Sequence, residues 1–358
     1  MRHYSGDPAE HKRPKKLRDD VLVRFATQRT SVTPPDPLPG DCIDQPITYD
    51  VDPIVFAELR NGAITRHGFV FTERNELLRE SVDKASYTVR LARSHPDLQV
   101  ELDATAPEPS PEAVAVLGCQ RAGNYFHWWI DVLAKCWVLR NSPYRTYRLV
   151  TPPLTQDFQR ESLRLLNQSV TPMTRPLHRF HRMVFARGLT YGSAQALSPQ
   201  ITEFAQWCRT TLALRPSSRR RKLFISRRSA RSRRLLNEDE VIAALGADFE
   251  LVELETLSVR EKALLLAEAT VVVAPHGAGL TNLLFCAEPT AVVELVHDDA
   301  PPKVFRRLAG LLGHPYIAVG CRPETQEEVK QDRRDMRASP SDVDAAIARL
   351  QKAAVSRR

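Results

Sequence analysis

Three groups of side chains in the second half of the chain have the types and spacing of an anion-binding site. The first is the turn His276-Gly277-Ala278-Gly279-Leu280-Thr281-Asn282, which follows an apolar run. A strand that stops at a small-residue turn opening a helix lets backbone N–H groups approach a phosphate, and the helix N-terminus favours negative charge. The same turn also serves as a plain tight junction, so its neighbours decide the reading. The second group is Ser226-Arg227-Arg228-Ser229-Ala230-Arg231-Ser232-Arg233-Arg234. Residues 215–234 hold ten Lys or Arg and no acid in a chain of formal net charge +8, so the positive charge is local. Residues 215–222 read as a solvated face, whereas Arg227, Arg233 and Arg234 lie where a short loop holds them over a strand end, and guanidinium forks suit a diphosphate. The third is Glu294, near the end of the next strand, where a carboxylate commonly accepts both ribose hydroxyls of a nucleotide.

The first half has one informative segment, residues 123–137. Projected at roughly 100° per residue, Phe126, Trp129, Ile130, Leu133 and Trp137 share one face and Asn124, His127, Asp131 and Lys135 the opposite one. The apolar stripe is core. On the polar face, a histidine and an aspartate one helical turn apart form either a base with its orienting group or a satisfied surface pair. Trp128 beside them suits stacking on a sugar ring.

The elements that must carry these groups alternate from residue 222 onward. Strands are expected at 222–226, 249–253, 271–274, 291–296 and 316–319, and helices at 237–246, 258–269, 278–286 and 302–313. This is the pattern of a doubly wound parallel sheet in an α/β protein, in which ligands bind at the carboxyl ends of the strands. Asn237 with Glu240, and Ser258 with Glu261, have capping-box spacing, and Gly246 and Gly313 stand where helices end. A further strand at 113–117 precedes the aromatic helix, and 341–350 reads as a terminal helix.

Taken together, Asn124-x-x-His127-x-x-x-Asp131, Ser226-Arg-Arg with Arg233-Arg-x-x-Asn237-Glu238, and His276-Gly-Ala-Gly-Leu-Thr-Asn282 resemble glycosyltransferase family 61, and more narrowly its bacterial capsular polysaccharide biosynthesis branch. The resemblance covers about residues 113 to 320. It implies a GT-B architecture, two Rossmann-like doubly wound domains facing a cleft, with a nucleotide-sugar donor held by the C-terminal domain. It also implies inversion at the anomeric carbon without a bound metal. On this reading His276, Gly277, Ala278, Gly279 and Asn282 hold the phosphate or uridine end of a donor, taken as UDP-linked. Arg227, Arg233 and Arg234 pair with the diphosphate and Glu294 takes the ribose. His127 or Asp131 deprotonates the acceptor hydroxyl, with Asn124, Trp128 and Lys135 on the acceptor side. Protein cations can neutralise a leaving diphosphate in place of a metal. The two D-x-D sequences, Asp50/Asp52 and Asp342/Asp344, fit no metal site at a strand end.

Three other classes compete. Gly277-x-Gly279-x-x-Asn282 followed by Glu294 imitates the dinucleotide fingerprint of an NAD(P)-dependent oxidoreductase, but Asn282 replaces the third small residue and the acid comes early. An α/β-hydrolase lacks its Gly-x-Ser-x-Gly elbow. A non-catalytic nucleic-acid binder would use the basic block, yet that block has no interleaved aromatics on which bases could stack.

At 358 residues and 42% hydrophobic content, the chain can bury two cores of ordinary domain size. The expected division is an N-terminal arm at 1–40, flexible or peripheral, an acceptor-side domain at 41–215, a nucleotide-sugar-binding domain at 216–330, and a C-terminal helix at 331–358 that packs back on the first domain. No apolar stretch approaches the roughly 18 residues of a membrane span, which points to the cytoplasm. The basic residues of the arm offer a peripheral contact with membrane or a lipid-linked glycan acceptor. Cysteines 42, 119, 136, 208, 286 and 321 lack metal-type spacing and read as reduced and structural.

Overall fold

The computed structural model describes residues 15–18, 21–25, 27, 29–43, 48–82, 91, 96–191, 196–299, 301–324 and 333–355. The chain is a mixed α/β protein whose contacts divide it into two units, Met1–Val32 with Asp50–Gln200, and Thr33–Tyr49 with Ile201–Arg358.

The first unit is built on one sheet. Its strands are β1 (Lys15–Arg18), β2 (Val21–Phe25), β3 (Val55–Thr65), β4 (Val70–Phe71), β5 (Val114–Val116), β6 (Arg148–Thr151), β7 (Thr171–Pro172) and β8 (Leu177–Ala186). The order is β1-β2-β3-β8-β5-β6-β7, with β4 paired to β3. From β1 to β8 the strands are antiparallel, and from β8 through β5 and β6 to β7 they are parallel. This half of the molecule was expected to be doubly wound and is instead mixed. The long apolar pair of β3 and β8, which contributes Val55, Ala57, Leu59, Phe180, Met183 and Phe185 to the core, is antiparallel over nine residues and needs no crossover helix. Two strands, β1 and β2, come from the expected arm. Val21-Leu-Val-Arg-Phe25 is extended along β3, so part of that arm belongs to the sheet edge; residues 1–14 lie outside the described residues.

The parallel corner positions the aromatic helix α1, which follows the carboxyl end of β5. It runs as Tyr125–His127 and Ala134–Arg140 with a wider π-helical stretch, Trp128–Leu133, between them. Such insertions arise where the regular ladder yields to side-chain packing, and they recur at functional sites. Here the ladder yields at two adjacent, fully buried tryptophans, Trp128 and Trp129. α2 (Asp157–Leu165) turns Gln159 inward, and its Nε2 donates to Ala122 O at 2.9 Å just ahead of α1.

The second unit matches the pattern read from the sequence. Strands β9 (Arg221–Ile225), β10 (Phe249–Val252), β11 (Ala269–Pro275), β12 (Ala291–His297), β13 (Tyr316–Pro323) and β14 (Met336–Arg337) form a sheet of order β10-β9-β11-β12-β13-β14. All pairs are parallel except β13 with β14. The helices of this unit are α3 (Ile201–Thr211), α4 (Glu238–Leu245), α5 (Val259–Ala267), α6 (Val304–Leu311) and α7 (Pro340–Val355). Ser258 and Glu261 make the expected capping box, and Gly246 and Gly313 adopt positive φ, 79° and 74°, where their helices end. Asn237 does not cap with its side chain. Its amide clasps the backbone of Ala338, donating to Ala338 O at 2.8 Å and accepting from Ala338 N–H at 3.1 Å.

α7, the helix expected to pack back on the first domain, packs on α4, β12 and β13 and buries Val343, Ala346, Ile347 and Leu350 in the core of its own unit. The segment 33–49 is tied into this unit as well, since the buried Asp41 carboxylate accepts from Arg306, from Ile43 N–H and from Ala318 N–H. No helix among the described residues is long and apolar enough to cross a membrane. The cysteines are free thiols, and burial pushes Cys136 and Cys286 up to about 12, which makes them poor nucleophiles and suits a packing role.

Candidate functional site

The carboxyl ends of β9, β11 and β12 gather the sequence motifs of the second unit. β11 ends at Pro275, His276 anchors the turn by donating its backbone N–H to Leu295 O at 2.9 Å, and Gly277 is extended at φ 180°. From β9, the chain turns so that the Arg227 guanidinium lies against Gly277: a Cβ there would stand 2.8 Å from Arg227 Cζ. Glycine leaves room here for the Arg227 guanidinium to lie against the backbone, which is itself in a conformation any residue adopts.

Arg227 is mostly buried. Its Nη2 donates to Ser232 O at 3.0 Å, its Nε has no hydrogen-bond partner, and no carboxylate lies within ion-pair distance among the described residues. Burial, and then the neighbouring Arg233 charge, pull it down to about 10, with Glu255 and Asp335 opposing. It therefore remains a cation near neutrality, in a place where a cation is costly until an anion arrives. Arg233 beside it holds a left-handed backbone, φ 57°, which for a non-glycine residue costs about 1–3 kcal/mol and is sustained by surrounding contacts.

The loop carrying these arginines is braced by two acids. Glu238 is buried and accepts from Ser226 Oγ at 2.7 Å, from Arg227 N–H at 3.3 Å and from Arg228 Nε at 2.9 Å. Asp335 is buried and accepts from Arg234 three times, through its backbone N–H at 2.9 Å, Nε at 3.0 Å and Nη2 at 2.6 Å. Arg234 is thus held in a fork with Asp335.

Glu294 does not fit the expected ribose contact. It is fully buried, and both carboxylate oxygens are taken: Oε1 by His276 Nδ1 at 2.5 Å and Oε2 by the Tyr316 hydroxyl at 2.5 Å. On the central strand β12 it faces away from the α4 and α7 core, under the His276 ring, which packs on Phe305 at 5.3 Å between centroids. The consequence is a Tyr316–Glu294–His276 chain that fixes the imidazole tautomer and leaves Nε2 for a ligand. Burial and the Glu294 charge raise the Tyr316 hydroxyl well above its usual range, so it stays a donor.

The remaining turn residues divide. His276, Ala278 and Gly279 are partly exposed at its rim. Gly279 is confined by protein rather than opened for a ligand, since a Cβ there would stand 3.0 Å from Leu254 Cδ1. Asn282 is buried and donates Nδ2 to Gly279 O at 2.7 Å, so it locks the turn and does not reach a donor. That back-bond accompanies a 3-10 helix at Ala278–Phe285 where an α-helix was expected.

In the first unit, His127 Nδ1 and Asp131 Oδ2 are 2.7 Å apart, and Asp131 Oδ1 accepts from the Thr190 hydroxyl. Both residues are nearly buried, His127 6% and Asp131 4% exposed. Burial raises the Asp131 carboxyl, but the hydrogen bonds from His127 and Thr190, with the His127 and Arg121 charges, outweigh it and hold the group below the ordinary carboxylate range. Both Asp131 oxygens are thus engaged, one by the His127 ring and one by the Thr190 hydroxyl.

Asn124 caps α1, accepting from Phe126 N–H at 3.0 Å and His127 N–H at 3.4 Å, which sets the pitch at which His127 enters. Lys135 is buried under the Phe185 ring at 4.8 Å and donates to Gly118 O. Trp128 is fully buried and donates Nε1–H to Ser162 Oγ at 2.7 Å, so it belongs to the core and offers no face for a sugar. Asp50 and Asp52 are exposed and lie against Arg29 at 3.1 and 3.8 Å, and Asp342 and Asp344 sit in the first turns of α7. Among the described residues no cluster of three or more metal-ligating side chains occurs.

Sequence reading placed Glu238 in a motif without giving it a role, and missed Asp335 and Tyr316. Asp335 lies too far along the chain from Arg234 for any spacing rule to link them, whereas Glu238 carried a signal, an acid at a helix start just after an arginine block.

Residues 125–293 match the family model described as Glycosyltransferase 61. Over 105 residues the chain is 33% identical to the EGF domain-specific O-linked N-acetylglucosamine transferase of Drosophila melanogaster, a match covering 28% of this chain and 20% of that protein. The region matched by the family model holds His127, Asp131, the arginine loop and the His276 turn, and the two matches support a likeness to glycosyltransferase family 61 and to a glycosyltransferase.

Proposed function

We propose that this protein moves a sugar from a nucleoside-diphosphate sugar, UDP-linked by preference, to a hydroxyl of a glycan acceptor, with inversion and without an obligatory metal, in surface or capsular polysaccharide synthesis. The observation that carries the reading is Arg227. Its guanidinium has a buried, unmet Nε donor, has no carboxylate partner among the described residues, and lies on Gly277 at the carboxyl end of a parallel sheet, which is where a diphosphate binds in such folds. Arg227 and Arg233 would offset the charge that develops on the leaving diphosphate, the role a metal plays elsewhere. His276 Nε2, fixed by Glu294, supplies a further donor or acceptor to the nucleotide. His127, oriented by Asp131, takes the proton from the acceptor hydroxyl as its oxygen bonds to the anomeric carbon. The bond from that carbon to the diphosphate oxygen breaks on the opposite face, and the imidazolium is stabilised by Asp131. A GT-B arrangement, with the donor on the second unit and the base on the first, belongs to the same proposal. So does a cytoplasmic location with peripheral contact to membrane.

The test is turnover of candidate UDP-sugars by His127→Ala. Turnover falling about 10²- to 10⁴-fold with nucleotide affinity unchanged supports the assignment, and near-normal turnover removes it.

A further inference from the structure

We infer that the first unit holds a separate anion site, centred on Lys135, that takes a carboxylate or phosphate carried by the acceptor. A small, partly open recess in this unit is lined by Glu80, Arg121, Asp131, Lys135, Phe185 and Arg187 among others. Lys135 is the telling residue, because it is 4% exposed, donates to a single carbonyl, that of Gly118, and has no carboxylate within ion-pair distance among the described residues. An ammonium offers three donors, and buried cations are normally paired. The carboxylates of the recess do not meet that need. Both Asp131 oxygens are occupied by His127 and Thr190, and Glu80 stands outside ion-pair distance of the ammonium. Arg121 and Arg187 add two further cations to the same wall, and Arg187 reaches Asp52 at 4.0 Å, the far edge of an ion pair. The lining thus holds three cationic side chains and two acidic ones.

The recess shares Asp131 with the proposed base, so an anion seated on Lys135 would hold a sugar hydroxyl within reach of His127. That the anion belongs to the acceptor rests on the transferase reading; the anion site itself does not. The shared chemistry is a compact negative group, from either a uronic acid or a phosphorylated glycan.

The experiment is calorimetric titration of inorganic phosphate, methyl glucuronide and methyl glucoside at fixed ionic strength into wild type, Arg227→Ala and Lys135→Met. Arg227→Ala weakens the proposed nucleotide site, so anion binding that survives it unchanged and is lost in Lys135→Met reports the recess. Phosphate or glucuronide is expected to bind wild type and Arg227→Ala within about twofold of each other and Lys135→Met at least about tenfold more weakly, with glucoside not binding, as the loss of one charge-assisted contact requires. Phosphate alone assigns a phosphorylated acceptor, and glucuronide alone a carboxylated one. Lys135→Met is also expected to melt no lower than wild type, since methionine keeps the packing against Phe185 and removes a buried charge that no carboxylate pairs among the described residues. If that variant fails to fold, Arg187→Ala reads the same site with a several-fold loss. Absence of anion binding in wild type, or binding that follows Arg227 and not Lys135, overturns the inference. Loss of sugar transfer with the anion site intact would instead count against the transferase reading.

Discussion

Replacing Gly277 by alanine separates binding from folding at the proposed donor site. A Cβ at this position would stand 2.8 Å from Arg227 Cζ and closer still to Nη1, inside the ~3.5 Å at which such atoms come to rest, so the guanidinium must retreat by roughly 1.5 Å. The backbone does not resist, because φ at Gly277 is 180°. Folding loses at most the bond from Arg227 to Ser232 O, about 1 kcal/mol, and recovers about 0.4–1 kcal/mol because alanine restricts the unfolded chain. Stability should therefore stay within about 1 kcal/mol of wild type. Binding loses more, because a charge-assisted hydrogen bond to phosphate is worth about 1.5–3 kcal/mol, which is about 10- to 150-fold in Kd. Calorimetry with uridine diphosphate measures the affinity, and urea denaturation measures the stability. Arg227→Ala should cost a similar amount, and the double variant no more than Arg227→Ala alone, because both remove one contact. Wild-type affinity in Gly277→Ala, or strictly additive losses in the double variant, would refute the reasoning.

Glu294→Gln should weaken nucleotide binding about tenfold by releasing His276 from its tautomer, whereas Tyr316→Phe should act on stability, costing about 1–3 kcal/mol by leaving a buried carboxylate oxygen unmet; calorimetry and denaturation distinguish the two. Asp131→Asn should lower kcat with little change in donor affinity, because what it disturbs is the orientation of His127, and steady-state kinetics separates the parameters. His314 sets an acid limit on stability. Burial first, with the Arg209 charge adding and the bond to Leu283 O opposing, pulls it down to about 4, while the unfolded chain titrates near 6.5. Between those values the unfolded state binds a proton that the native state does not. Stability is therefore full above about pH 6.5 and falls as pH drops toward about 4, by about 3 kcal/mol in all. His314→Gln should flatten that slope in denaturation curves measured from about pH 4 to 7.

The second unit was legible because its signals are local. The strand runs at 271–274 and 291–296 are nearly continuous hydrophobic stretches, as strands buried on both faces must be, and Ser258 with Glu261 caps within one turn. The first unit was less so. β3 and β8 pair across a long stretch of intervening chain, and no periodicity in residues 55–65 announces that partner. At the site, residue types pointed to the right turns, but side-chain commitments did not follow from type. Glu294 looked like a ribose acceptor because an acid stood at a strand end, and only its position on the buried face of β12, between His276 and Tyr316, shows that it is an internal strut. Trp128 stood beside polar residues on a helical projection that assumed one exposed face, whereas the π-helical stretch of α1 is buried on every side. Arg234 was grouped with its neighbours until Asp335, far along the chain, claimed it.

The central claim is that the arginine loop and the His276 turn hold a nucleoside diphosphate without a metal. Melting temperature is the direct measurement, taken with uridine, guanosine and thymidine diphosphates, with and without EDTA, and with NAD and NADP, for wild type and Arg227→Ala. At about a hundredfold excess over Kd, a true ligand adds about 2.7 kcal/mol of stability. One nucleoside diphosphate should raise the melting temperature equally in the presence of EDTA, and Arg227→Ala should lose most of the rise. A shift with NAD or NADP alone, a shift abolished by EDTA, or none with any nucleotide would contradict that claim.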